Sequence, residues 1–432
     1  MTLKAYRAAI LHCLDDPGLT LPARNIEYFA DGILIIENGY VQQVGDAATL
    51  LAQLPHECEL IEYPQHLIIP GLIDLHIHYP QTDMITAYGE QLLPWLEQYT
   101  FPTEREFADT QHAQAVTQFF LDELLRNGTT SAVVYGTVHP QSVDVLFEQA
   151  YQRNLRLIAG KVMMDCYCPP YLQDTPESSY EQSKELIEKW QGKGRLAYAV
   201  TPRFAPTSSD AQLQQAQRLL SEYPEVYLQT HLAENKQEVA WVHSLFPQAR
   251  SYLAVYEHYQ FVKPRSIFAH CIYLDQPDKQ LMAQKGASIA FCPSSNLFMG
   301  SGLFDLHAAK SAGIRVGLGT DVGAGTSFNL LQTYQDAYKV TQLLEQNISA
   351  FQGLYLATLG AAQALYMEDK VGNFSAGKEA DFVVLDLTAT PLMQRRLQHT
   401  TSLHEQLFAL MMLADNRVVS ATYIMGEAAY CK

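Results

Sequence analysis

The sequence of 432 residues is poor in basic side chains and in cysteine. Only 29 Lys and Arg stand against 46 Asp and Glu, so the formal net charge at pH 7 is −17. So acidic a surface repels phosphate backbones and anionic membranes, and we expect neither nucleic acid nor membrane as a partner. The seven cysteines are odd in number and scattered along the chain. They do not suggest a disulfide framework and indicate a reducing compartment.

Long apolar runs and targeting segments are also lacking. No segment approaches the ~18 consecutive apolar residues that a membrane-spanning helix needs. The N-terminal stretch Met1–His12 is interrupted by Arg7 and has no signal-peptide core. The sequence therefore predicts a cytoplasmic protein. Its 48% hydrophobic and 17% charged residues exclude a disordered or collagen-like chain.

Several catalytic signatures do not occur. The sequence contains no Gly-x-x-x-x-Gly-Lys-Ser/Thr phosphate loop, no Gly-x-Ser-x-Gly elbow and no His-Glu-x-x-His helix. The His-x-Glu and Pro-Cys-x-x-Cys pair of cytidine deaminases is missing as well. The chemistry therefore has to come from another arrangement of residues.

Eight short apolar runs alternate with helical patterns through the middle of the chain. The helical patterns, such as residues 113–126 and 211–221, place apolar side chains three and four positions apart. Eight buried strands alternating with helices predict an α/β fold, a (β/α)8 TIM barrel whose active site forms at the C-terminal strand ends. A doubly wound open sheet is the alternative, but no Gly-x-Gly-x-x-Gly opens a helix. The eight runs are residues 68–78, 130–135, 155–163, 196–201, 226–231, 266–270, 287–292 and 315–321.

Both chain ends are rich in β-type residues. Near the start, Asn38-Gly39 lies between two β-rich runs and is typical of a tight hairpin turn. Short strand patterns around a glycine-containing turn repeat this character near the C terminus. We therefore predict a small β-sandwich domain formed from residues 1–67 and 372–432, and a barrel over residues 68–371.

Histidines and an aspartate stand at the ends of the predicted barrel strands. His76 and His78 are two positions apart on one strand and therefore face the same side. His231, His270 and Asp321 close three further strands. A single strand-end histidine is more often a satisfied polar residue, but four such ends meeting at one rim indicate a metal site. Imidazoles with a carboxylate suit one Zn²⁺, although Fe²⁺ also fits, and zinc lowers the pKa of a bound water to about 7.

Other residues near these strand ends have more than one interpretation. Glu234 follows His231 by three residues and could carry a proton from the water to a leaving nitrogen, although an acid in a first helical turn is common without such a role. Cys166 and Cys168 have no further partners and are expected to pack. Lys161 could be carboxylated and bridge two metals, but it lies upstream of its strand end, which favours one metal.

The histidine and aspartate pattern on eight β/α units resembles the amidohydrolase superfamily. More narrowly, several stretches resemble its guanine deaminase family, and one of them, Tyr88–Glu104, is specific to that family. The resemblance extends from about residue 32 to about residue 386. The stretches are Pro70–Gln81, Tyr88–Glu104, Thr201–Pro206, Thr230–Asn235, Cys292–Gly302 and Gly319–Gly325.

This resemblance implies hydrolytic deamination of guanine to xanthine and ammonia by a homodimer with one zinc ion per chain. Glu234 would act as the proton shuttle, and His270 would polarise the water and the reacting centre. Asp321 would relay a second proton in addition to binding the metal. The implied zinc ligands are His76, His78, His231 and Asp321.

The substrate contacts implied by the resemblance are Gln81, Arg203 and the backbone near Phe204. A guanidinium only donates and so suits a purine carbonyl, whereas an amide can donate to and accept from a heterocycle edge. For Arg203, a structural ion pair at the barrel rim is the alternative. Cys166-Tyr167-Cys168 departs from the family, where polar or charged residues are expected. If this loop borders the pocket, the tightness of substrate binding is in doubt.

The sequence alone leaves three rival functions open. Gln81 and Arg203 favour a flat heterocycle with a carbonyl but do not choose between guanine, a modified purine, a pterin and an s-triazine. A barrel that has lost catalysis would not be expected to retain every metal ligand together with Glu234. A dinuclear amidase or dihydropyrimidinase-like hydrolase would need two metals and a carboxylated Lys161.

Overall fold

The structure is a computed structural model that describes residues 3–89 and 91–432. Glu90, which belongs to the Tyr88–Glu104 stretch, lies outside the described residues. The strands are β1 (Leu3–Cys13), β2 (Ile26–Glu37), β3 (Tyr40–Asp46), β4 (Glu59–Pro70), β5 (Leu72–His78), β6 (Thr129–Tyr135), β7 (Arg156–Gly160), β8 (Val162–Met163), β9 (Leu196–Pro202), β10 (Tyr227–Leu232), β11 (Ser266–His270), β12 (Ser288–Phe291), β13 (Arg315–Leu318), β14 (Phe382–Asp386), β15 (Val419–Ile424) and β16 (Glu427–Cys431).

The helices follow the barrel strands and also continue after the last of them. Among the described residues, none of the helices is both long and apolar enough to cross a bilayer. They are α1 (Ala47–Leu50), α2 (Leu92–Trp95), α3 (Phe101–Arg105), α4 (Thr110–Arg126), α5 (Pro140–Gln152), α6 (Pro176–Trp190), α7 (Asp210–Glu222), α8 (Lys236–Leu245), α9 (Tyr252–His258), α10 (Gln276–Lys285), α11 (Pro293–Phe298), α12 (Leu306–Ser311), α13 (Leu330–Leu343), α14 (Ala350–Ala357), α15 (Leu359–Ala364), α16 (Pro391–Leu397) and α17 (Leu403–Leu413).

The middle of the chain forms a parallel barrel. Its strands follow one another in the order β5-β6-β7-β9-β10-β11-β12-β13, and the short β8 pairs with β9. Two backbone hydrogen bonds join the first strand to the segment after the last one. His78 donates to the Val322 carbonyl, and Asp321 donates to the His76 carbonyl, each at 2.8 Å. The strands are buried along their length, as expected of a parallel sheet covered by helices, and the predicted (β/α)8 barrel is confirmed.

Strands from both chain ends form a second sheet, as predicted. The order is β16-β15-β14-β4-β1-β2-β3, in which β1 and β4 are parallel and the other pairs antiparallel. Asn38 and Gly39 connect β2 to β3 with φ of 52° and 88°, the left-handed conformations that a tight hairpin requires. Apolar side chains from the two ends pack together here. Phe382 and Tyr423 stack at 4.3 Å, and Tyr6 meets both rings edge-on.

Three of the eight apolar runs differ from the observed strands by more than one residue at an end. The run 68–78 divides at Gly71, where a Cβ would lie 2.1 Å from Thr130 Oγ1, and the part before it pairs with β14. The run 155–163 is interrupted at Lys161. The last barrel strand ends at Leu318, so that Asp321 lies beyond it. In each case a close backbone approach or a buried polar contact breaks an apolar run that looks continuous in the sequence.

The chain divides into two compact units. One comprises Met1–Ile73, Glu123–Ser131 and Asn329–Lys432, and the other comprises Asp74–Asp122 and Ala132–Phe328. The domain boundaries expected from the sequence stay a prediction.

Gly160, the last residue of β7, approaches β9 too closely for any side chain. A Cβ here would lie 1.7 Å from the Ala199 carbonyl oxygen and 2.5 Å from Thr201 Oγ1. We therefore expect Gly160→Ala to lower the thermal unfolding midpoint by about 3 °C or more. A clash with backbone puts the cost at the upper end of the about 1–3 kcal/mol or more that overpacking costs, and about 1 kcal/mol shifts the midpoint of so long a chain by about 1 °C.

Gly192 provides the control for this variant. Its φ is +72°, and no described atom would lie within 4 Å of its Cβ. Gly192→Ala should therefore cost only the backbone strain of about 1 kcal/mol and shift the midpoint less. Equal shifts in the two variants would contradict the close approach of β7 and β9.

Candidate active site

Three histidine nitrogens and one carboxylate oxygen converge at the C-terminal rim of the barrel. His76 and His78 lie on β5, and His231 is the last but one residue of β10. Nε2 of His78 lies 3.2 Å from Nε2 of both His76 and His231. Oδ1 of Asp321 lies 3.2 Å from Nε2 of His76 and 3.4 Å from Nε2 of His78. The structure thus brings together the four residues that the resemblance implied as ligands.

The spacing of these four atoms fits a tetrahedral cation. Ligand atoms about 2.1 Å from a central zinc ion lie about 3.4 Å from one another, close to the observed separations. The nitrogens cannot satisfy one another in every pair by hydrogen bonds, because a neutral imidazole offers one donor and one acceptor. Burial lowers the pKa of His78 and of His231 well below the ordinary value, so that both rings are neutral, the form that binds metal. The donor set therefore fits a divalent cation.

Hydrogen bonds on the far side of two rings fix their orientation. Nδ1 of His231 donates to the Arg203 carbonyl oxygen at 2.7 Å, which directs the Nε2 lone pair into the cluster. Nδ1 of His270 lies 2.9 Å from Asn296 Oδ1, and within the described residues its Nε2 has no hydrogen-bond partner. That Nε2 lies 3.7 Å from Oδ2 of Asp321, farther than the four converging atoms lie from their neighbours. His270 therefore stands beside the cation position.

A buried carboxylate holds two of the segments that carry the converging atoms. Asp74 on β5 accepts hydrogen bonds from the backbone N–H of His76 at 3.1 Å and of Thr320 at 3.0 Å, and from Thr320 Oγ1 at 2.5 Å. The next residue, Asp321, has a φ of +53°, a left-handed conformation that costs a non-glycine residue about 1–2 kcal/mol. These hydrogen bonds stabilise that conformation, which turns the Asp321 carboxylate toward the histidines.

The pKa values of two carboxylates in the site are shifted in opposite directions. Burial raises the pKa of Asp321, but the imidazoles of His76 and His270 outweigh burial and hold the pKa well below its ordinary value. Burial raises the pKa of Glu234 to about 7. Asp321 is therefore ionised at neutral pH, whereas Glu234 can take up and release a proton near neutral pH, as a general acid–base group must.

Glu234 and His270 face each other across the pocket. Oε2 of Glu234 lies 3.4 Å from Nε2 of His270, and its Oε1 accepts a hydrogen bond from Ser301 Oγ at 3.1 Å. Burial lowers the pKa of His270, but the carboxylates of Glu234 and Asp321 outweigh burial and raise it above the ordinary value. This places a proton donor and a proton acceptor side by side at the bottom of the pocket.

The remaining predicted residues form the pocket wall. Gln81 lies in the 3-10 helix Tyr79–Met84 that follows β5, and Arg203 and Phe204 directly follow β9. The pocket has about 430 Å³ of empty space, including the part open to solvent. An apolar wall of this kind beside a few polar groups suits a flat heterocycle. The apolar part of the wall is formed by Leu92, Trp95, Leu96 and Ala324.

Arg203 forms a buried ion pair behind this wall, and its partner, Glu104, was not identified from the sequence. Nη1 of Arg203 donates to Oε2 of Glu104 at 2.8 Å and to its Oε1 at 3.0 Å. Nε2 of Gln81 donates to the same Oε1 at 3.2 Å. Glu104 ends the family-specific stretch, which was the one available signal, but it lies 99 residues from Arg203. The ion pair and the substrate contact, which were alternatives for Arg203, are therefore compatible with one another.

Two features that raised doubt do not line the pocket. Lys161 is fully buried, and its amine is paired with the Asp174 carboxylate. An amine held in this way is not placed to bridge two metals. The Cys166 thiol donates to the Pro206 carbonyl at 3.4 Å. Among the described residues, neither Lys161 nor the Cys166–Cys168 loop lines the pocket.

A cysteine thiol lies next to the converging atoms. Cys292 follows β12 and places its Sγ within 4.8 Å of ligand atoms of His76 and Asp321. Burial and the Asp321 charge raise the pKa of this thiol well above its ordinary value. Because the thiolate is the metal-binding form, Cys292 is a poor ligand in this environment.

Known proteins are similar to this chain in both sequence and fold. The profile of the Amidohydrolase family matches residues 67–429. The chain is 51% identical over 432 residues to the guanine deaminase of Escherichia coli (strain K12), covering 99% of this chain and 98% of that protein. The solved structure "E. coli Guanine Deaminase" matches with a TM-score of 0.96 at 50% identity, over 99% of this chain and 100% of that one. A guanine deaminase from C. acetobutylicum with bound guanine matches with a TM-score of 0.89 at 26% identity, over 99% and 100%.

The support that Asp74 gives to the converging atoms can be tested through metal affinity. Asp74→Ala leaves the N–H groups of His76 and Thr320 without an acceptor, and outer contacts of this kind change metal affinity by about 10–100-fold. We expect that loss of affinity in a competition assay with a chromogenic chelator.

Asp74→Asn is the matched control. The amide oxygen can still accept from both N–H groups, and the amide nitrogen can donate to Thr320 Oγ1. Metal affinity should therefore fall much less in this variant than in Asp74→Ala. If both variants bind metal as tightly as the wild type, Asp74 does not support the site.

Proposed function

The chain belongs to the amidohydrolase family, and on that premise we infer that it is a C–N hydrolase that deaminates guanine to xanthine and ammonia. The observation that supports this function most directly is that one pocket contains two groups of residues with different chemistry. At one end, His76, His78, His231 and Asp321 converge beside Glu234. At the other, a guanidinium and an amide are placed to recognise a neutral oxopurine.

We propose that one divalent cation is bound, with zinc as the expected ion and Fe²⁺ as the alternative. It would be held by Nε2 of His76, His78 and His231 and by Oδ1 of Asp321. When bound, the ion supplies a Lewis acid that lowers the pKa of a coordinated water to about 7. The proposal rests on the tetrahedral spacing of the four atoms and on the engagement of Lys161 with Asp174, which leaves no bridging ligand from that lysine.

Glu234 carries the proton in the proposed reaction. Its carboxylate first accepts one proton of the attacking water and delivers it to the ring nitrogen. The second proton of the water passes to the departing amine, so that the C–N bond breaks and ammonia leaves. A pKa of about 7 suits both halves of this task, because neither proton transfer is then strongly uphill at neutral pH. His270, whose Nε2 faces Glu234 at 3.4 Å, polarises the water and the reacting carbon. Asp321, which is ionised at neutral pH, accepts the second proton transiently and passes it on to the departing amine.

The pocket wall orients the purine for this step. Arg203 donates to the purine carbonyl oxygen, and the Gln81 amide donates to and accepts from the heterocycle edge. The backbone near Phe204 closes on the ring. The apolar side chains of the wall exclude water from the faces of the ring, so that the polar contacts at its edge determine its orientation.

The function is tested by giving guanine to the purified, zinc-loaded protein. Ultraviolet absorbance should change from that of guanine to that of xanthine, with one ammonia released for each guanine consumed. A panel of modified purines, pterins and s-triazines measured in parallel tests the rival deaminase activities. Unchanged guanine absorbance with the metal fully loaded would refute the assignment.

Assembly and location stay proposals. The family resemblance suggests a homodimer, and the cysteine usage suggests a reducing compartment such as the cytoplasm. Light scattering on the purified chain would test the first.

Replacing Glu234 by Gln should separate catalysis from metal binding. The amide keeps the shape of the side chain but accepts no proton, so we expect kcat for guanine to fall by at least about 10²-fold. Metal content should stay at the wild-type level, because Glu234 is not among the four converging residues. The exposed Glu225, changed to Gln, is the control. Turnover that survives in Glu234→Gln would show that another group carries the proton.

The pH dependence of kcat/KM should report the same carboxyl group. Glu234 must be ionised to accept the proton, and burial raises its pKa to about 7. The rate should therefore fall about tenfold per pH unit below that value and level off above it. A steady-state profile from about pH 5 to about pH 9 measures this limb. A midpoint near the ordinary carboxyl value of about 4 would contradict the assignment.

A further inference from the structure

Glu104, on α3, is a fully buried carboxylate to which the proposed mechanism assigns no role. It lies behind the pocket wall and contacts both polar groups that face the purine. Both of its oxygens accept from Nη1 of Arg203, at 2.8 and 3.0 Å, and Oε1 also accepts from Nε2 of Gln81 at 3.2 Å. One side chain thus connects the two recognition groups.

The contact with Glu104 fixes which way the Gln81 amide points. Nε2 donates to the carboxylate, while Oε1 accepts from the backbone N–H of Gly323 at 3.3 Å. A flipped amide would place its oxygen against the Glu104 carboxylate and its nitrogen against an N–H group, so only one orientation is satisfied. The pocket therefore receives one N–H donor and one acceptor lone pair at defined positions.

The same contact compensates the charge of Arg203. The guanidinium is 3% exposed and lies over the Phe101 ring, with Cζ 5.4 Å from the ring centre. Among the described residues that line the pocket, Arg203 is the only Lys or Arg. Without Glu104 it would be a buried, uncompensated cation, which is costly and attracts anions. With Glu104, the end of the pocket that Gln81 and Arg203 form, called here the recognition end, carries oriented donors but no net charge.

The substrate and the product of the proposed reaction differ in acidity. Guanine has one ring carbonyl and is neutral near pH 7. Xanthine has two carbonyl groups flanking one N–H, so that its anion is better delocalised and it is the stronger acid. As the pH rises from neutral, a growing part of the product is therefore anionic while the substrate stays neutral.

We propose that Glu104 is a positioning residue that makes the site select the neutral oxopurine over its more acidic dioxopurine product. It does so by orienting Gln81 and Arg203 and by cancelling the guanidinium charge. The inference rests on the proposed deamination of guanine. It assigns to Glu104 no contact with the reacting atoms, so its loss should affect KM and product inhibition more than kcat.

The test is Glu104→Gln, which removes the charge and keeps the size. We expect KM for guanine to rise about tenfold, as for the loss of one charged hydrogen bond, while kcat changes less than about threefold. The ratio of the xanthine inhibition constant to the guanine KM should fall about tenfold or more, and further as the pH rises, because an uncompensated guanidinium binds the xanthine anion. Glu106→Gln is the matched control. Glu106 is exposed, lies two residues away and contacts Arg105.

A conservative variant separates charge from position. Glu104→Asp keeps the charge but shortens the reach, so it should restore the wild-type preference against xanthine while KM for guanine stays raised. If Glu104→Gln changed the KM for guanine and the inhibition constant for xanthine by the same factor at every pH, the proposal would be overturned. Such a result would indicate a merely structural role.

The wild-type protein supplies the remaining control. If it does not deaminate guanine, the proposed function fails. If the wild type deaminates guanine but the ratio of the xanthine inhibition constant to the guanine KM is unchanged in Glu104→Gln, only the role of Glu104 fails. Should Glu104→Gln not fold, the pH dependence of xanthine inhibition in the wild type decides. Inhibition that weakens as xanthine ionises supports a neutral recognition end, and inhibition that strengthens contradicts it.

Discussion

The convergence of three imidazole nitrogens and one carboxylate oxygen, in which neighbouring atoms lie 3.2–3.4 Å apart, is the constraint on which the rest of the site depends. A central cation would bring neutral nitrogens this close, and the surrounding contacts hold the rings in an arrangement that fits one. The two-residue period of β5 aligns His76 with His78. The Arg203 carbonyl orients His231, and Asp74 holds the backbone on both sides of the site.

The buried carboxylates in and around the site suit different roles because their surroundings differ. The neighbouring imidazoles keep Asp321 ionised despite burial, which suits a ligand. For Glu234, burial outweighs the neighbouring His270 and raises the pKa to about 7, which suits a proton carrier. Burial likewise raises the pKa of Asp74 to about 7, yet its hydrogen bonds give it a structural role. Glu104 faces the guanidinium of Arg203 and compensates its charge. Environment, more than residue type, separates these four roles.

The sequence predicted the barrel and the convergence of histidines at its rim because both follow from local patterns. Alternating apolar runs and helices indicate eight parallel strands, and the spacing of His76 and His78 follows from the strand period. The sequence indicated Asp321 because it follows the last apolar run of the barrel. Its left-handed backbone beyond the end of β13, however, depends on Asp74, which lies far away in the sequence. The partner of Lys161 and the pairing of Glu104 with Arg203 are likewise long-range contacts. No local pattern encodes such contacts, and the sequence alone did not reveal them.

The central claim is that one cation, held by these four residues, activates the water for guanine hydrolysis. Its most direct test is stepwise reconstitution of metal-free protein with zinc, with bound zinc and guanine turnover measured on each sample. Turnover should rise in proportion to bound zinc and level off at one equivalent per chain. Turnover that persists without metal, or that levels off only at two equivalents, would contradict a single-metal site.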